Sequence, residues 1–203
     1  MSIYDVTIPE LILPGKQGEA ELVHFTVDEA ASLMTSFRAV QHPDAYVPPG
    51  QYAQLRVNGT IMMSDTRMER HTNAEFTYKA NGRVLVAGLG LGLILFAIAD
   101  KPNVERIVVV EKSQDVIDLI GPTLRAKFDD RLEIICADIF DWKPEKGTRF
   151  DTIYFDIWPR ACTDNLEEMN RLHRRFRTYL CSDGWMDSWR RKELQLRKRY
   201  AKL

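Results

Sequence analysis

Three glycines at alternating positions, Gly88, Gly90 and Gly92, stand directly after an apolar stretch in the sequence RVLVAGLGLG. Residues 83–87 before them are typical of a buried strand, and residues 93–99 continue with apolar side chains at helical spacing. Glycine permits backbone angles that a Cβ forbids and lets the backbone approach a ligand closely. The free N–H groups at the start of the next helix favour an anionic or polar group. This arrangement predicts a ligand site, although glycine runs after strands also serve plain packing.

Carboxylates follow three further stretches that are typical of strands. Glu111 ends the stretch RIVVVE, Asp138 follows LEIICA, and Asp156 follows DTIYF. An acid that ends the second strand can accept hydrogen bonds from both hydroxyls of a ribose. Asp138, with the Ile139 backbone beside it, can accept one from the exocyclic amine of adenine. Taken alone, each acid is better explained as a helix cap or a loop carboxylate. As a set opposite a glycine loop, they predict an adenosine-containing ligand.

Strands that alternate with helices organise the chain from residue 83 onward. We expect five strands, at 83–87, 106–111, 132–137, 151–155 and 185–189. Near-continuous apolar strands of this kind predict a parallel sheet covered by helices on both faces. The expected fold class is therefore α/β, a doubly wound, Rossmann-like parallel sheet that binds ligands at the carboxyl ends of its strands.

Caps and breaks predict the helices between these strands. Ser113 is expected to cap a helix that Gly121-Pro122 bends or interrupts. Asp164 is expected to cap a long helix that runs to Leu180, and a final basic helix is expected at 190–203.

Residues 1–80 show no such alternation and are predicted to form a separate N-terminal region, with the ligand-binding domain at 81–203. A helix is expected at 27–40, with Thr26 as its N-cap and one shared apolar face formed by Ala30, Leu33, Met34 and Phe37. Prolines and a glycine then break the chain at Pro43, Pro48, Pro49 and Gly50.

A β-hairpin is the clearest element of the N-terminal region. Residues 52–57 and 60–64 alternate in polarity and are joined by Asn58-Gly59, the strongest short-range hairpin signal. The polar stretch 65–73 is expected to be a loop that leads into a short helix ending near Asn81-Gly82.

The glycine spacing resembles motif I of class I S-adenosylmethionine-dependent methyltransferases. A nicotinamide dinucleotide site would need a glycine where Leu93 stands, and a phosphate-binding Gly-Lys-Ser/Thr loop is absent from the sequence. Two of the acids also fall where that family places its ribose and adenine carboxylates. The resemblance implies S-adenosyl-L-methionine as the cofactor, bound by Gly88, Leu89, Gly90, Gly92, Glu111, Lys112, Asp138, Ile139 and Asp156.

A second resemblance includes the N-terminal hairpin and the stretch LRVNGTIMMSDTRMERHTNAEF, whose layout is similar to that of spermidine synthases. Those aminopropyltransferases use decarboxylated S-adenosylmethionine on the same fold. Leu91, Pro159 and Met62 stand where that family has two aspartates and a glutamine that handle the polyamine and its donor. The sequence therefore favours methyl transfer over aminopropyl transfer, and a non-catalytic subunit that binds a cofactor or serves assembly is the third interpretation.

Methyl transfer from a sulfonium needs an acceptor lone pair aimed at the methyl group and, for poor nucleophiles, a proton acceptor. Asp156 is the expected group for this, and Trp158 is expected to stack on a planar or cationic acceptor or to pack beneath the N-terminal region. The predicted substrate contacts precede the glycine strand, with a solvated loop as the alternative for each: Asp65, Arg67, His71 and Asn73, with Glu69 and Arg70 beside them.

Composition limits the remaining possibilities. The 203 residues are 45% hydrophobic and 28% charged with a net charge of -1, as in ordinary globular proteins. From Arg160 onward 12 Lys/Arg face 6 Asp/Glu, which indicates solvated helix faces or nucleic-acid binding.

Scattered cysteines and histidines predict no metal site and a reducing, cytoplasmic location. No apolar run approaches the ~20 residues of a membrane span, so no membrane association is expected. The chain stops soon after the fifth strand, which favours a small-molecule acceptor and a possible homodimer.

Overall fold

The computed structural model describes residues 2–40 and 45–201 of the chain. The break expected at Pro43 lies outside these residues, as do His42 and the last two residues of the predicted C-terminal helix. Two short helical segments, Ile3–Asp5 and α1 (Ile8–Leu11), precede the first strand.

An antiparallel sheet of four strands forms most of the N-terminal region, in the order β1-β2-β3-β4. Its strands are β1 (Gly15–Gln17), β2 (Ala20–Val27), β3 (Gly50–Val57) and β4 (Thr60–Ser64). The predicted hairpin is confirmed: Asn58 and Gly59 both have positive φ, 52° and 72°, as a type I′ turn requires. The sequence did not predict β1 or β2.

The first long helix, α2 (Glu29–Ala39), begins later than expected. Thr26 belongs to β2, and Asp28 is the N-cap, because its Oδ1 accepts a hydrogen bond from the Ala31 N–H at 2.7 Å. The predicted apolar face is not buried either: Leu33, Met34 and Phe37 are each more than half exposed. The alternation of polar and apolar residues in β2 runs directly into the helical spacing of α2, so the sequence did not reveal where the strand ends and the helix begins.

The polar stretch after the hairpin is itself helical, which corrects the expected loop. Helix α3 (Arg67–Lys79) begins two residues after Asp65 and continues almost to the next strand. Because successive side chains on a helix point about 100° apart, only part of this stretch can face any one site.

Five parallel strands form the second sheet, in the order β7-β6-β5-β8-β9. They are β5 (Gly82–Ala87), β6 (Val104–Glu111), β7 (Leu132–Cys136), β8 (Phe150–Phe155) and β9 (Leu180–Ser188). The intervening helices are α4 (Leu93–Ile98), α5 (Gln114–Phe128), α6 (Asn165–Phe176) and α7 (Arg191–Tyr200).

Hydrophobic residues cover both faces of this sheet. Val84 and Val86 of β5 pack with helices α3, α4 and α5, whereas Leu85 and Ala87 pack with α6 and α7. The expected α/β class with a doubly wound, Rossmann-like parallel sheet is thereby confirmed. The chain reverses direction across the sheet between β5 and β8, where open α/β sheets bind their ligands.

Three boundaries differ from the expected ones. Helix α5 continues through Gly121-Pro122, because Pro122 lies on the exposed side, where the carbonyl of Asp118 that loses its partner is open to solvent. Helix α6 ends at Phe176, and β9 begins at Leu180 and includes Gly184. The expected cap at Asp164 makes no side-chain hydrogen bond to the helix.

The N-terminal sheet shares its core with the parallel sheet. Ala53 and Leu55 of β3 belong to the same cluster of buried side chains as Leu93 of α4. The division of the chain at residue 80 stays a prediction. No helix among residues 2–40 and 45–201 is long and apolar enough to cross a membrane.

Asp65 is a buried junction between three segments of this shared core. Its side chain accepts hydrogen bonds from the backbone N–H groups of Ile8 and Ala53, at 3.2 and 2.7 Å, and from the guanidinium of Arg70 at 3.3 Å. The residue is fully buried. One carboxylate thus joins the segment before β1, strand β3 and helix α3.

We expect Asp65→Ala to lower the free energy of unfolding by about 3–5 kcal/mol, because it leaves a cation and two buried N–H groups without their acceptor. Urea unfolding followed by circular dichroism measures the change. Asp130→Ala removes an exposed carboxylate and serves as the control. Similar stabilities for the two variants would contradict this role of Asp65.

Candidate functional site

A cavity opens at the carboxyl ends of β5, β6 and β8, beneath the hairpin of β3 and β4. One half of it is bounded by the glycine turn and by the loops after β6 and β7. The other half is bounded by the hairpin, helix α3 and the loops after β8 and β9. The residues of this second half include Leu55, Met62, Met63, Glu69, Asp156, Ile157, Trp158, Pro159 and Trp189. Val57 also lines the cavity, but it pairs with Ala20 beside the start of α5 and so adjoins the first half.

The glycine turn brings two loops into direct contact. Gly88 has a φ of +95°, and a Cβ there would lie 2.1 Å from the carbonyl oxygen of Asp156. No residue with a side chain fits this position, so the loops after β5 and β8 approach each other only because residue 88 is glycine. Gly92 lies outside the cavity lining: it precedes α4 with a φ of +71°, and a Cβ there would meet Leu124 of α5.

Met63 of the hairpin covers the second glycine of the turn. A Cβ on Gly90 would meet the Met63 sulfur, and that sulfur accepts a hydrogen bond from the Leu91 N–H at 3.1 Å. A ligand can displace the Met63 side chain from this part of the cavity wall, since methionine has several rotatable bonds. The Leu91 side chain is fully buried in the core and does not line the cavity.

Glu111 connects the glycine turn to the next helix. Its two carboxylate oxygens accept hydrogen bonds from the N–H groups of Leu89, at 2.8 Å, and Ser113, at 2.9 Å. Each oxygen keeps a second lone pair, so the carboxylate is held at the cavity wall and can still accept hydrogen bonds from a ligand. Leu89 and the exposed Lys112 also line this half.

Asp138 lies at the far end of the same half. Its Oδ1 accepts a hydrogen bond from the Phe140 N–H at 2.8 Å, which holds the loop after β7 in a turn. The residue is exposed, and the buried Ile139 beside it contributes an apolar wall. Eight of the nine predicted cofactor contacts, all except Gly92, therefore lie around one cavity.

Asp156 stands at the floor of the cavity, where β8 ends. Its backbone N–H donates to the Ala87 carbonyl at 2.8 Å, which continues the pairing of β8 with β5 beyond the strand. Within the described part of the chain no group donates a hydrogen bond to its carboxylate. Burial raises the pKa of this carboxyl to about 7, so it changes its charge near neutral pH.

Glu69 is a second carboxyl in the same cavity. It lies in the first turn of α3, is only 6% exposed and faces the cavity. Burial, and secondarily the negative charge of Asp156, raise its pKa to about 8, while Arg190 opposes the shift. Among residues 2–40 and 45–201, no donor is hydrogen-bonded to its carboxylate.

The sequence around Glu69 suggests a different role for it. Thr66 and Glu69 have the spacing of a capping box, in which the glutamate turns back to the start of its helix. In the structure Thr66 does not cap α3 with its side chain; its hydroxyl lies 3.0 Å from that of Ser64. Sequence reasoning placed Glu69 only beside the main candidates, and its burial is visible only in the fold.

Two tryptophans complete the walls. Trp158 lines the cavity and also packs in the core against α6, where its indole N–H donates to Glu168 at 2.8 Å. Trp189, which the sequence did not identify as a site residue, follows β9 and donates its indole N–H to the Thr72 hydroxyl at 2.9 Å. Both rings are thus held in place by hydrogen bonds outside the cavity.

The four predicted substrate contacts do not line this cavity: α3 turns Arg67, His71 and Asn73 away from it, and Asp65, just before the helix, bonds to other segments. Asp65 joins structural segments, as described above, and Arg67 is exposed. Asn73 is fully buried and accepts a hydrogen bond from the Tyr154 hydroxyl at 2.8 Å. His71 is exposed and lies at a separate, polar cleft.

The two cavity carboxyls, the buried Glu69 and the half-buried Asp156, predict how stability depends on pH. Carboxyls of an unfolded chain titrate near 4 (about 3.9–4.3), whereas those of Asp156 and Glu69 have pKa values of about 7 and about 8 in the fold. Between these limits the folded protein binds more protons than the unfolded chain. Its free energy of unfolding therefore decreases as the pH rises through this range.

We expect Glu69→Gln to make this decrease shallower, by up to about 1.4 kcal/mol per pH unit between pH 5 and pH 8. Urea unfolding at a series of pH values measures the slope in the ligand-free protein. Glu75→Gln, on the exposed side of the same helix, should keep the parent slope. Equal slopes for the parent and Glu69→Gln would show that Glu69 is not protonated in the fold.

Comparisons with known proteins find likeness only among solved structures. No protein-family model matches the chain, and no curated protein matches it. The CcbJ methyltransferase from Streptomyces caelestis is 19% identical with a TM-score of 0.44, over 58% of this chain and 47% of that chain. Coclaurine N-methyltransferase, solved with N-methylheliamine and SAH, is 19% identical with a TM-score of 0.46, over 61% and 36%.

A third structure, an S-adenosylmethionine-dependent methyltransferase from Clostridium acetobutylicum, is 17% identical with a TM-score of 0.40, over 56% of this chain and 44% of that chain. The chain spans less than half the length of each of these three proteins.

Proposed function

We propose that this chain binds S-adenosyl-L-methionine and transfers its methyl group to a small-molecule acceptor. The observation that carries the proposal is a single cavity at the point where the parallel sheet reverses its winding, lined by the glycine turn and by three acids at the ends of strands. Glycine backbone, Glu111 and Asp138 line it on the side of β6 and β7, and Asp156 lines it at the end of β8.

The first half fits an adenosine ligand by the chemistry of its groups. Glu111 offers a fixed carboxylate with free lone pairs to the ribose hydroxyls, and the exposed Asp138 offers one to the adenine amine. Ile139 and Leu89 supply apolar surface for the flat faces of the base. When bound there, S-adenosylmethionine supplies a methyl group on a positively charged sulfur.

The second half suits an acceptor that must be oriented and deprotonated. Asp156 has a pKa near neutral pH and, among the described residues, no hydrogen-bond donor to its carboxylate, so it can take a proton from a nucleophile. The hairpin supplies Leu55 and Met62 as apolar walls against which an acceptor can be held in a fixed geometry. A cavity that a hairpin partly covers favours a small molecule over nucleic acid as the acceptor.

Three positions favour methyl transfer over aminopropyl transfer. Met62 and Pro159 place apolar atoms on the cavity wall, and Leu91 points into the core. The polar side chains that would handle a polyamine and its donor at these positions are missing from the wall. The likeness of the N-terminal hairpin to spermidine synthases stays a prediction.

Cofactor binding tests the first half of the proposal. We expect S-adenosylhomocysteine to bind in calorimetric titration, and Glu111→Ala or Asp138→Ala to weaken it on the order of 10-fold or more, because each loses hydrogen bonds to a charged group. Glu133→Ala, which removes an exposed carboxylate on β7, is the matched control. A folded protein that binds neither S-adenosylmethionine nor S-adenosylhomocysteine would refute the proposal.

Methyl transfer tests the second half. With labelled S-adenosylmethionine and a panel of amines, phenols, thiols and carboxylic acids, we expect Asp156→Asn to lower the rate by roughly 10²–10⁴-fold, the usual contribution of a proton acceptor. S-adenosylhomocysteine binding should persist in this variant, and Asp183→Asn, an exposed change, should keep the full rate. Tight cofactor binding without transfer to any acceptor would instead favour a non-catalytic subunit.

A further inference from the structure

Glu69 is buried without a partner for its carboxylate among residues 2–40 and 45–201. The residue is only 6% exposed, lines the cavity and has no hydrogen-bond donor in this part of the chain. Burying an unpaired carboxylate costs several kcal/mol of folding free energy. A protein can retain such a group where a ligand supplies the missing partner.

The protein does not supply the missing positive charge. Arg190 is the cation that acts on Glu69, but its guanidinium donates to both carboxylate oxygens of Glu193, at 2.6 and 2.8 Å. Lys112 lies in the other half of the cavity, beside Glu111. Two carboxyls, those of Glu69 and Asp156, therefore face the acceptor half without a paired cation.

We propose that the acceptor is an amine with an apolar body, that Glu69 binds its ammonium group, and that the neighbouring Asp156 takes its proton. This inference rests on the proposed methyl transfer and names the class of acceptor for the same site. A ligand ammonium supplies the charge and the donors that the two carboxyls lack.

The walls around the two carboxyls determine the rest of the acceptor. Leu55 of β3, Met62 of β4 and the ring of Trp189 line the same cavity as Glu69 and Asp156. Burial of an apolar body against them contributes on the order of 25 cal/mol per Å². A polyamine gains little here, because among the described lining residues no further carboxylate stands in this half to hold a second ammonium group.

The proton transfer balances as follows for a primary amine. One N–H proton of the ammonium bound at Glu69 moves to the Asp156 carboxylate, which leaves a free lone pair on nitrogen. That lone pair forms the bond to the methyl carbon, and the electron pair of the breaking carbon–sulfur bond stays on sulfur. The products are a methylated ammonium and a neutral thioether, and the proton on Asp156 leaves to solvent.

The pKa of Asp156, about 7, suits this transfer because it lies closer to that of an amine than the pKa of an exposed aspartate does. The groups that face Glu69 from the neighbouring elements are Tyr154 of β8, Asp156 after β8 and Arg190 after β9. A positive ligand favours the charged form of Glu69, so an ammonium binds with the release of a proton whenever Glu69 is protonated in the empty cavity.

Paired probes test the charge requirement. Calorimetric titration at pH 8, with and without saturating S-adenosylhomocysteine, compares phenethylamine, its neutral analogue phenethyl alcohol, and putrescine. We expect phenethylamine to bind on the order of 10-fold more tightly than the alcohol, since a hydrogen-bonded ion pair in a buried site is worth about that much. Putrescine should bind more weakly than phenethylamine. Equal affinities for amine and alcohol, or a preference for putrescine, would overturn the inference.

Variants assign the preference to Glu69. Glu69→Gln should reduce the preference for amine over alcohol to less than about 3-fold, while Glu75→Gln on the exposed face of α3 should retain it. A reduced preference together with unchanged affinity for the alcohol excludes a collapsed cavity as the cause. An undiminished preference in Glu69→Gln would overturn the role of this residue.

The pH profile gives a readout that a structural role would not change. Amine affinity of the parent protein should rise by up to about tenfold per pH unit from pH 6 towards pH 8, as Glu69 loses its proton, and the alcohol should show no such rise. Glu69→Gln should make the pH dependence of amine affinity less steep than in the parent protein. This difference reports on Glu69 even if Asp156 contributes part of the rise, because both proteins contain Asp156. A profile in the variant that matches the parent would refute the assignment.

S-adenosylhomocysteine binding, measured separately, distinguishes failure of this inference from failure of the proposed function. If S-adenosylhomocysteine does not bind but the amine preference depends on Glu69, the methyl-transfer proposal fails and the ammonium site stands. If S-adenosylhomocysteine binds and amine and alcohol are equivalent, the acceptor is not an amine.

Discussion

The contact between Gly88 and the backbone of Asp156 determines the geometry of the whole cavity. A Cβ on residue 88 would lie 2.1 Å from the Asp156 carbonyl oxygen, so any other residue would force the loops after β5 and β8 apart. Both loops leave neighbouring strands where the winding of the sheet reverses, and this opening is the place where a ligand can enter between them. The same contact fixes the start of the loop that carries Asp156 and, two residues later, Trp158. The glycine therefore positions an acid as well as admitting a ligand.

The N-terminal sheet partly covers this open edge and so makes it a cavity. Strand β4 places Met63 against the glycine turn, and helix α3 turns Glu69 into the same space. Asp65 stands between these two elements and bonds to both the segment before β1 and strand β3. Asp65 thus stabilises the structure, whereas Glu69, four residues later, faces the cavity. Because the two acids lie so close in the sequence, the sequence alone could not distinguish their roles.

The sequence predicted the parallel sheet, the glycine turn and the acids at the strand ends, because each rests on a local pattern with one physical cause. Buried parallel strands are apolar throughout, and Glu111, Asp138 and Asp156 directly follow such strands. The roles of Asp65, Asn73 and Glu69 could not be predicted. All three lie in the polar stretch 65–73, most of which belongs to α3. Only the position of that helix between the two sheets decides which side chain is buried, which is paired and which faces the cavity. Strand β2 was missed because its alternation merges with the helical spacing of α2.

The two cavity carboxyls show why a pattern-based view fails most where the chemistry is. Local rules favour a capped helix start and paired acids, yet within the described part of the chain Glu69 neither caps α3 nor has a donor, and Asp156 lies beside it without a paired cation. The loss of solvent around both carboxyls raises their pKa values and reduces the stability of the empty protein above neutral pH. A ligand with a positive charge reverses this penalty, so part of its binding energy comes from removing a cost that the fold already contains. Selectivity for charge then follows from the empty cavity itself, because a neutral ligand of the same shape leaves that cost in place.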